Sequence, residues 1–455
     1  MRKLPFLSPP VVPALLGAAL LAAMSWSSAA QAATRVVANC NDSGTGSLRA
    51  AVASAASGDT IDLRSLTCSR IVLAGQIDIP QADLSLLGPG RFALTVDGNR
   101  AGRVFRHAGT GTLYIERMSI AYGRQETQEP FGGCIYSPSG MVELWRSRVH
   151  HCEVDALGSD TQLLGGGVAA ENIVLNYSSV FYNKAAEFGA GGGIRASNSA
   201  RVYYSQVYGN TAMDSGGGIS AGDVIASYSL IHGNSANAGG GIACGRLTLN
   251  KSTVSANRAL LYVYFGRFQE NWAGGVWVGG SGRNVIVDST ISGNSAFNYS
   301  AGDFGGGETV VYNSTITNNR ENYPEGDEFR FNPPEYYGRG ALVAGTLRLQ
   351  SSIVGGNQRT QGAPAYDIAP GTTVTGNRNL ISHAQVAIPA GTLVVDDPRL
   401  AALADNGGST RTHLPLADSP VIDRGSNPLD REFDQRGAGF PRVKGAGVDI
   451  GSVER

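Results

Sequence analysis

Beyond its opening residues, this sequence contains no apolar run of the ~20 residues needed to cross a bilayer as a helix, so no membrane span is expected once that opening is removed. Neither sign of charge is in excess, with 36 Lys and Arg against 37 Asp and Glu. That balance leaves no electrostatic footprint for nucleic acid. Cysteine is scarce, at five in 455 residues, and none follows C-x2-C spacing, which argues against zinc. The Leu-x-x-Leu-x-Leu frame of leucine-rich repeats is absent, as is any EF-hand loop.

The chain opens with Arg2 and Lys3, an apolar stretch from Val11 to Ala23, and small residues ending at Ala30-Gln31-Ala32. This is the tripartite pattern of a secretory signal peptide, so residues 1–32 are expected to be removed and the protein exported, to the cell exterior or the periplasm. In an oxidising compartment cysteines pair. Proximity suggests Cys40 with Cys68 and Cys134 with Cys152, although spacing alone does not fix connectivity.

Glycine is the compositional excess, 62 residues, about twice the usual ~7%. Its placement is periodic. Gly165-Gly166-Gly167-Val168, Gly191-Gly192-Gly193-Ile194, Gly216-Gly217-Gly218-Ile219 and Gly239-Gly240-Gly241-Ile242 are copies, with degenerate ones at Gly132, Gly274 and Gly305. Each is followed by an alternating β-rich run and then Ser-x-(Val/Ile)-x-x-Asn, as in Ser252-Thr253-Val254-Ser255-Ala256-Asn257. A unit of about 25 residues without helical period is one coil of a β-solenoid. The fold class is therefore all-β, a single-stranded parallel β-helix, right-handed by the crossover rule. The aliphatic residue after each glycine group and the Val or Ile after each Ser should point inward. The closing asparagines, Asn183, Asn210, Asn234, Asn257, Asn294, Asn319 and Asn357, are expected to stack as a hydrogen-bonded ladder.

A solenoid must cover its two ends. Leu48, Ala51, Val52 and Ala55 lie on one side of a predicted amphipathic helix, assigning residues 33–59 to an N-terminal cap, 60–395 to the β-helix and 396–455 to a C-terminal module. Ser43 to Leu63, including Gly58-Asp59-Thr60-Ile61-Asp62-Leu63, resembles the CSLREA domain of exported bacterial β-helix proteins. Gly46 and Ala50 depart from the pattern. The glycine and Ser-to-Asn copies resemble the repeats of chlamydial polymorphic outer-membrane proteins, whose passenger regions are β-helices. The tail, through Asp405-Asn406-Gly407-Gly408, Asp434-Gln435-Arg436-Gly437 and Asp449-Ile450-Gly451-Ser452-Val453-Glu454, resembles the choice-of-anchor Q domain. None of these resemblances implies an activity.

Insertions fall between a closing Asn and the next glycine group, so they should project from one side of the rod. They carry Tyr262, Tyr264, Trp272, Tyr299, Tyr337, Arg267 and Arg330 as candidate glycan-binding residues. Asp303, Asp327 and Glu270 are the candidate catalytic carboxylates, should the groove act as a glycoside hydrolase or a polysaccharide lyase. The alternative for the same aromatics is packing of the loops onto the rod. No pectate lyase or polygalacturonase motif is present. The expectation is a monomeric, non-enzymatic, adhesin-like protein binding a polysaccharide or cell-surface glycan. Alternatives are a lyase or hydrolase, or a structural envelope component. No cofactor or metal is assigned, calcium being the one left open for the tail aspartates. His150-His151 should face opposite sides of a strand, which argues against a metal site, and Cys152 should fill an asparagine slot.

Overall fold

The computed structural model describes residues 32–126, 129–155, 164–186, 188–260, 272–297, 299–322, 340–359 and 366–455, with the backbone of 262–264 and 267–269. The signal-peptide expectation falls almost wholly outside them. The chain winds through three parallel sheets of 18, 13 and 9 strands, here called A, B and C. One turn is Ile194–Tyr203 in sheet A, Gln206–Tyr208 in sheet B and Thr211–Ala212 in sheet C. Ile194 pairs with Val168 of the turn before and Ile219 of the turn after. Equivalent residues of successive copies thus lie above one another, and the protein is a parallel β-helix.

Alternation decides the core. Ile135, Val168, Ile194, Ile219, Ile242 and Val276 form one fully buried column in sheet A, and Val149, Val180, Val207, Ile231, Val254 and Ile291 form another in sheet B. Burying each such side chain contributes about 1.5–3 kcal/mol.

The three corners use different chemistry. Between sheets C and A sit the glycine groups. Gly165 has φ +70°, and a Cβ on Gly166 would stand 2.3 Å from the Gly192 carbonyl oxygen, so no side chain fits there. Gly305 to Gly307 do not occupy this corner; in that turn Gly302 takes the inward slot opposite Val276. Glu308 is half-buried, pairs with Arg283 at 3.0 Å and starts the strand Glu308–Tyr312.

Between sheets A and B the chain turns on a left-handed residue, for example Tyr177, Tyr204 and Tyr228 at φ 51°, 48° and 52°. A buried serine follows each. The N–H of Ser178 donates to Ser205 Oγ at 2.9 Å, Ser205 to Ser229 at 3.2 Å, and Ser229 to Ser252 at 3.1 Å. This serine ladder was not anticipated from sequence.

Between sheets B and C the asparagines stack. Asn234 Nδ2 donates to Asn257 Oδ1 at 2.9 Å and to the Val207 carbonyl at 2.9 Å, while Asn234 Oδ1 accepts both the backbone N–H and the Nδ2 of Asn210. The pattern runs from Asn183 to Asn357. At its start Cys152 donates its N–H to Asn183 Oδ1. At its end Asp367 Oδ1 accepts from Asn357 Nδ2 at 2.7 Å, and Asp367 Oδ2 accepts the His383 N–H at 2.7 Å.

The helix Leu48–Ala53, N-capped by Ser47, buries Leu48 and Val52 against the first turns. Disulfides join Cys40 to Cys68 and Cys134 to Cys152. The tail lies back along the outside of sheet B. Lys251 Nζ donates to the carbonyls of Phe433 and Asp434 and pairs with Asp288 at 3.4 Å. Thr290 Oγ1 donates to Gln435, and Val421 and Ile450 cluster with Ile353 and Leu380.

Two predictions concern the asparagine ladder. Asn234→Ala takes partners from buried groups on the two adjoining turns, Asn210 and the Val207 carbonyl on one and Asn257 Oδ1 on the other, so denaturant titration should show a loss of about 3 kcal/mol. Burial pushes the Asp367 carboxyl up to about 6 from its ordinary 3.8, against the hydrogen bonds from Asn357 and His383. The folded state therefore holds that proton more tightly, and its contribution favours folding below about pH 4 and is lost as pH rises through about 6. Relative to Asp367→Asn, the wild type should gain thermal stability on going from about pH 7 to about pH 4.

Candidate functional site

In sheet A the residue after each inward aliphatic points outward. Ala169, Arg195, Ser220, Ala243, Trp277 and Asp303 follow one another in register on successive turns. The side chains between Arg195 and Trp277 are small, so the surface sinks into a trench of about 280 Å³, with Arg195 at one end and Trp277 at the other. Ser215, Ser220, Ala243 and Gly245 line it between them. Three inter-strand steps of ~4.8 Å separate the ends by roughly 14 Å.

Arg195 Nη1 donates to Ser220 Oγ at 2.9 Å, and its Nε is buried without a hydrogen-bond partner. Burial lowers the Arg195 pKa, an effect that the Asp214 carboxylate opposes. The indole of Trp277 lies across Gly279, where a Cβ would come within 3.2 Å of the ring. Asp303, one turn further, accepts the Gly305 N–H on Oδ1 at 3.0 Å, and burial raises its carboxyl pKa. A guanidinium offers a planar fork to a carboxylate, and an indole offers an apolar face to a sugar ring.

The sequence-derived candidates divide three ways. Asp303 joins the outward column of the trench through its pairing with Trp277. Trp272 and Tyr299 meet each other at 6.0 Å between ring centroids, and Tyr299 is only 5% exposed. In this structure the Tyr299 ring is thus buried beside Trp272 and offers little surface. Tyr262–Tyr264 and Arg267–Gln269 form an antiparallel hairpin, but the side chains of Tyr262, Tyr264 and Arg267 lie outside the described residues. Glu270, Asp327, Arg330 and Tyr337 also lie outside them.

The histidine pair departs from expectation as well. His151 adopts φ 55°, which swings its ring beside that of His150, with Nδ1 to Nδ1 at 2.8 Å. Burial, Arg148 and His151 press the His150 pKa down to about 4. Among the described residues no group of three or more His, Cys, Asp or Glu is arranged to hold a metal.

Arg195 and Trp277 were not singled out from sequence. The signal was available: each directly follows the inward aliphatic, Ile194 or Val276, and alternation makes that slot outward.

No protein-family model matches this sequence, and no curated protein matches it. Among solved structures, the crystal structure of pectate lyase Pel9A is similar, with a TM-score of 0.51 and 14% identity over 93% of this chain and 98% of that one. The likeness is one of fold, an all-β parallel β-helix with almost no helix.

Cys244 lines the trench yet is only 5% exposed, and burial drives its thiol pKa far above the ordinary value. The thiolate is the reactive form. Native protein at about pH 8 should therefore resist alkylation with iodoacetamide, and modification of Cys244 should appear on mass spectrometry only after denaturant is added.

Proposed function

We propose that this is an exported protein that holds a short stretch of an acidic polysaccharide in the sheet A trench. One observation carries the reading: a guanidinium with an unpaired buried Nε and an open-sided indole bound an uncharged floor. A uronate chain presents both complements, carboxylates for the fork of Arg195 and C–H faces for Trp277. The floor of Ser, Ala and Gly admits a sugar backbone without collision. The resemblances of the two ends and the repeat to CSLREA, polymorphic outer-membrane-protein and choice-of-anchor Q segments fit an exported, surface-associated role, and two disulfides are compatible with it.

A second reading, a polysaccharide lyase working in the same trench, is favoured by the fold shared with pectate lyase Pel9A. Asp303 is the described carboxylate on the trench column, and its raised pKa suits it to proton transfer.

Calorimetry with oligogalacturonides and neutral xylo-oligosaccharides separates these outcomes. Acidic oligomers should bind, with Arg195→Ala and Trp277→Ala each weakening affinity at least about tenfold, a loss of about 1.4 kcal/mol. Retention of full affinity in both variants would remove the trench from the function. Release of unsaturated uronate, lost in Asp303→Asn, would select the lyase.

A further inference from the structure

The outward face of sheet B changes character along the rod. From Lys251 onward it is covered by the tail, and the corner residues between sheets A and B reach into that cover. Lys251 donates to Phe433 and Asp434, Asn313 Nδ2 to the Ser426 carbonyl at 2.7 Å, and Arg378 Nη1 to the Gly425 carbonyl at 3.0 Å. Lys251, Asn313 and Arg378 are thus donors to carbonyls of the tail, whereas at the corners between them Asp288 pairs with Lys251 and Ser351 Oγ accepts the Ser426 N–H.

On earlier turns the same corner carries Arg117, Arg146, Tyr177 and Tyr204, and no tail lies over them. All four adopt left-handed backbone, at φ 55°, 47°, 51° and 48°, a conformation that costs a bulky residue about 1–2 kcal/mol. The loop carrying Arg91 and Phe92 arches beside them, and Arg91 Nη1 donates to the Tyr177 carbonyl at 3.0 Å. Together they enclose a cleft of about 450 Å³ lined by Arg91, Arg117, Arg146, Tyr177, Tyr204 and Gln206, within the ~300–1,000 Å³ range of ligand sites.

The charge in this cleft is uncompensated. Among the described residues no carboxylate lines it. Arg117 donates to the Pro89 carbonyl at 3.4 Å, Arg146 lies 5.8 Å from the Tyr177 ring, and Arg148 sits between Phe92 and Phe181 at 4.9 and 4.8 Å. Arg117 and Arg146 rise from adjacent turns, one ~4.8 Å step apart, where like charges repel. The tyrosine rings stack on one another, Tyr177 on Tyr204 at 5.0 Å and Tyr204 on Tyr228 at 4.6 Å. Both faces of Tyr204 and one face of Tyr177 are taken up in the stack and Arg146 lies over the Tyr177 ring, so recognition falls to guanidinium groups rather than to sugar stacking.

We infer that this cleft is a second binding site, for a linear anionic polysaccharide lying along the rod axis with its carboxylate or sulfate groups on Arg117 and Arg146. A chain with a charge on each sugar matches a row of cations repeating turn by turn, as a single small anion does not. The site lies at the corner between sheets A and B and shares no residue with the trench, so it stands whether or not the trench holds a glycan.

The test uses the whole exported protein, with binding to polygalacturonate and to heparin measured at about 20 and 200 mM salt, and inorganic sulfate at matched anion concentration as a control. Wild type should bind one or both polymers at low salt, more weakly at high salt, and should not be displaced by sulfate. Arg117→Gln with Arg146→Gln should lose at least tenfold in affinity and most of the salt dependence. Arg117→Lys with Arg146→Lys guards against misfolding and should retain charge-driven binding at reduced affinity. In an Arg195→Ala, Trp277→Ala background, where the trench no longer contributes, adding the glutamine pair should still remove salt-dependent binding, so the two sites are read separately. Unchanged affinity in the glutamine pair, or attachment to anionic vesicles but to neither polymer, would overturn the inference.

Discussion

Axial registry is the constraint on which everything else in this molecule rests. Each turn is held to the next by parallel backbone hydrogen bonds, and registry is locked at the corners by side chains that repeat the same bond turn after turn. A slip by one residue would expose the apolar columns and put outward side chains into the core. The asparagine ladder resists such a slip because each amide both donates to and accepts from its neighbours, so displacement would orphan buried groups on both sides. The glycine corner adds a steric constraint, since carbonyls of adjacent turns occupy the space a Cβ would need.

Registry also makes a one-residue choice act as a surface design. Because equivalent positions stack, the outward slot after each aliphatic of sheet A becomes a column, and small residues on consecutive turns become a trench between Arg195 and Trp277. The A-to-B corner becomes a column too. Its residues dock the tail over later turns and stand free over earlier ones, so one structural position serves intramolecular packing in one half and open chemistry in the other.

Much of this was legible in the sequence, unevenly so. The glycine groups and the fixed spacing of the closing asparagines imply stacked turns, and the inward columns follow from alternation. The serine that opens each Ser-x-(Val/Ile)-x-x-Asn element repeats as faithfully as the asparagine, but its ladder depends on a left-handed residue before it, such as Tyr177 or Tyr204, which no propensity favours. The same backbone twist brings His151 beside His150, which a strand rule places on the opposite face. The site was less legible because long-range placement decides it. Asp303 reaches the trench column through a turn whose glycines are out of phase, Tyr299 turns inward, and the arginine cleft requires a loop at Arg91 to fold across to Tyr177, 86 positions later.

The tail has a mechanical consequence. A stack in which each layer touches only its neighbours can fray from an end one layer at a time, with cooperativity limited to adjacent interfaces. Here a single segment is fastened to layers from Lys251 to Arg378, so it works as a splint that makes those layers open together or not at all. The unsplinted layers, which bear the arginine cleft and the Arg195 end of the trench, are left to breathe independently of the clamped half, which holds the Trp277 end.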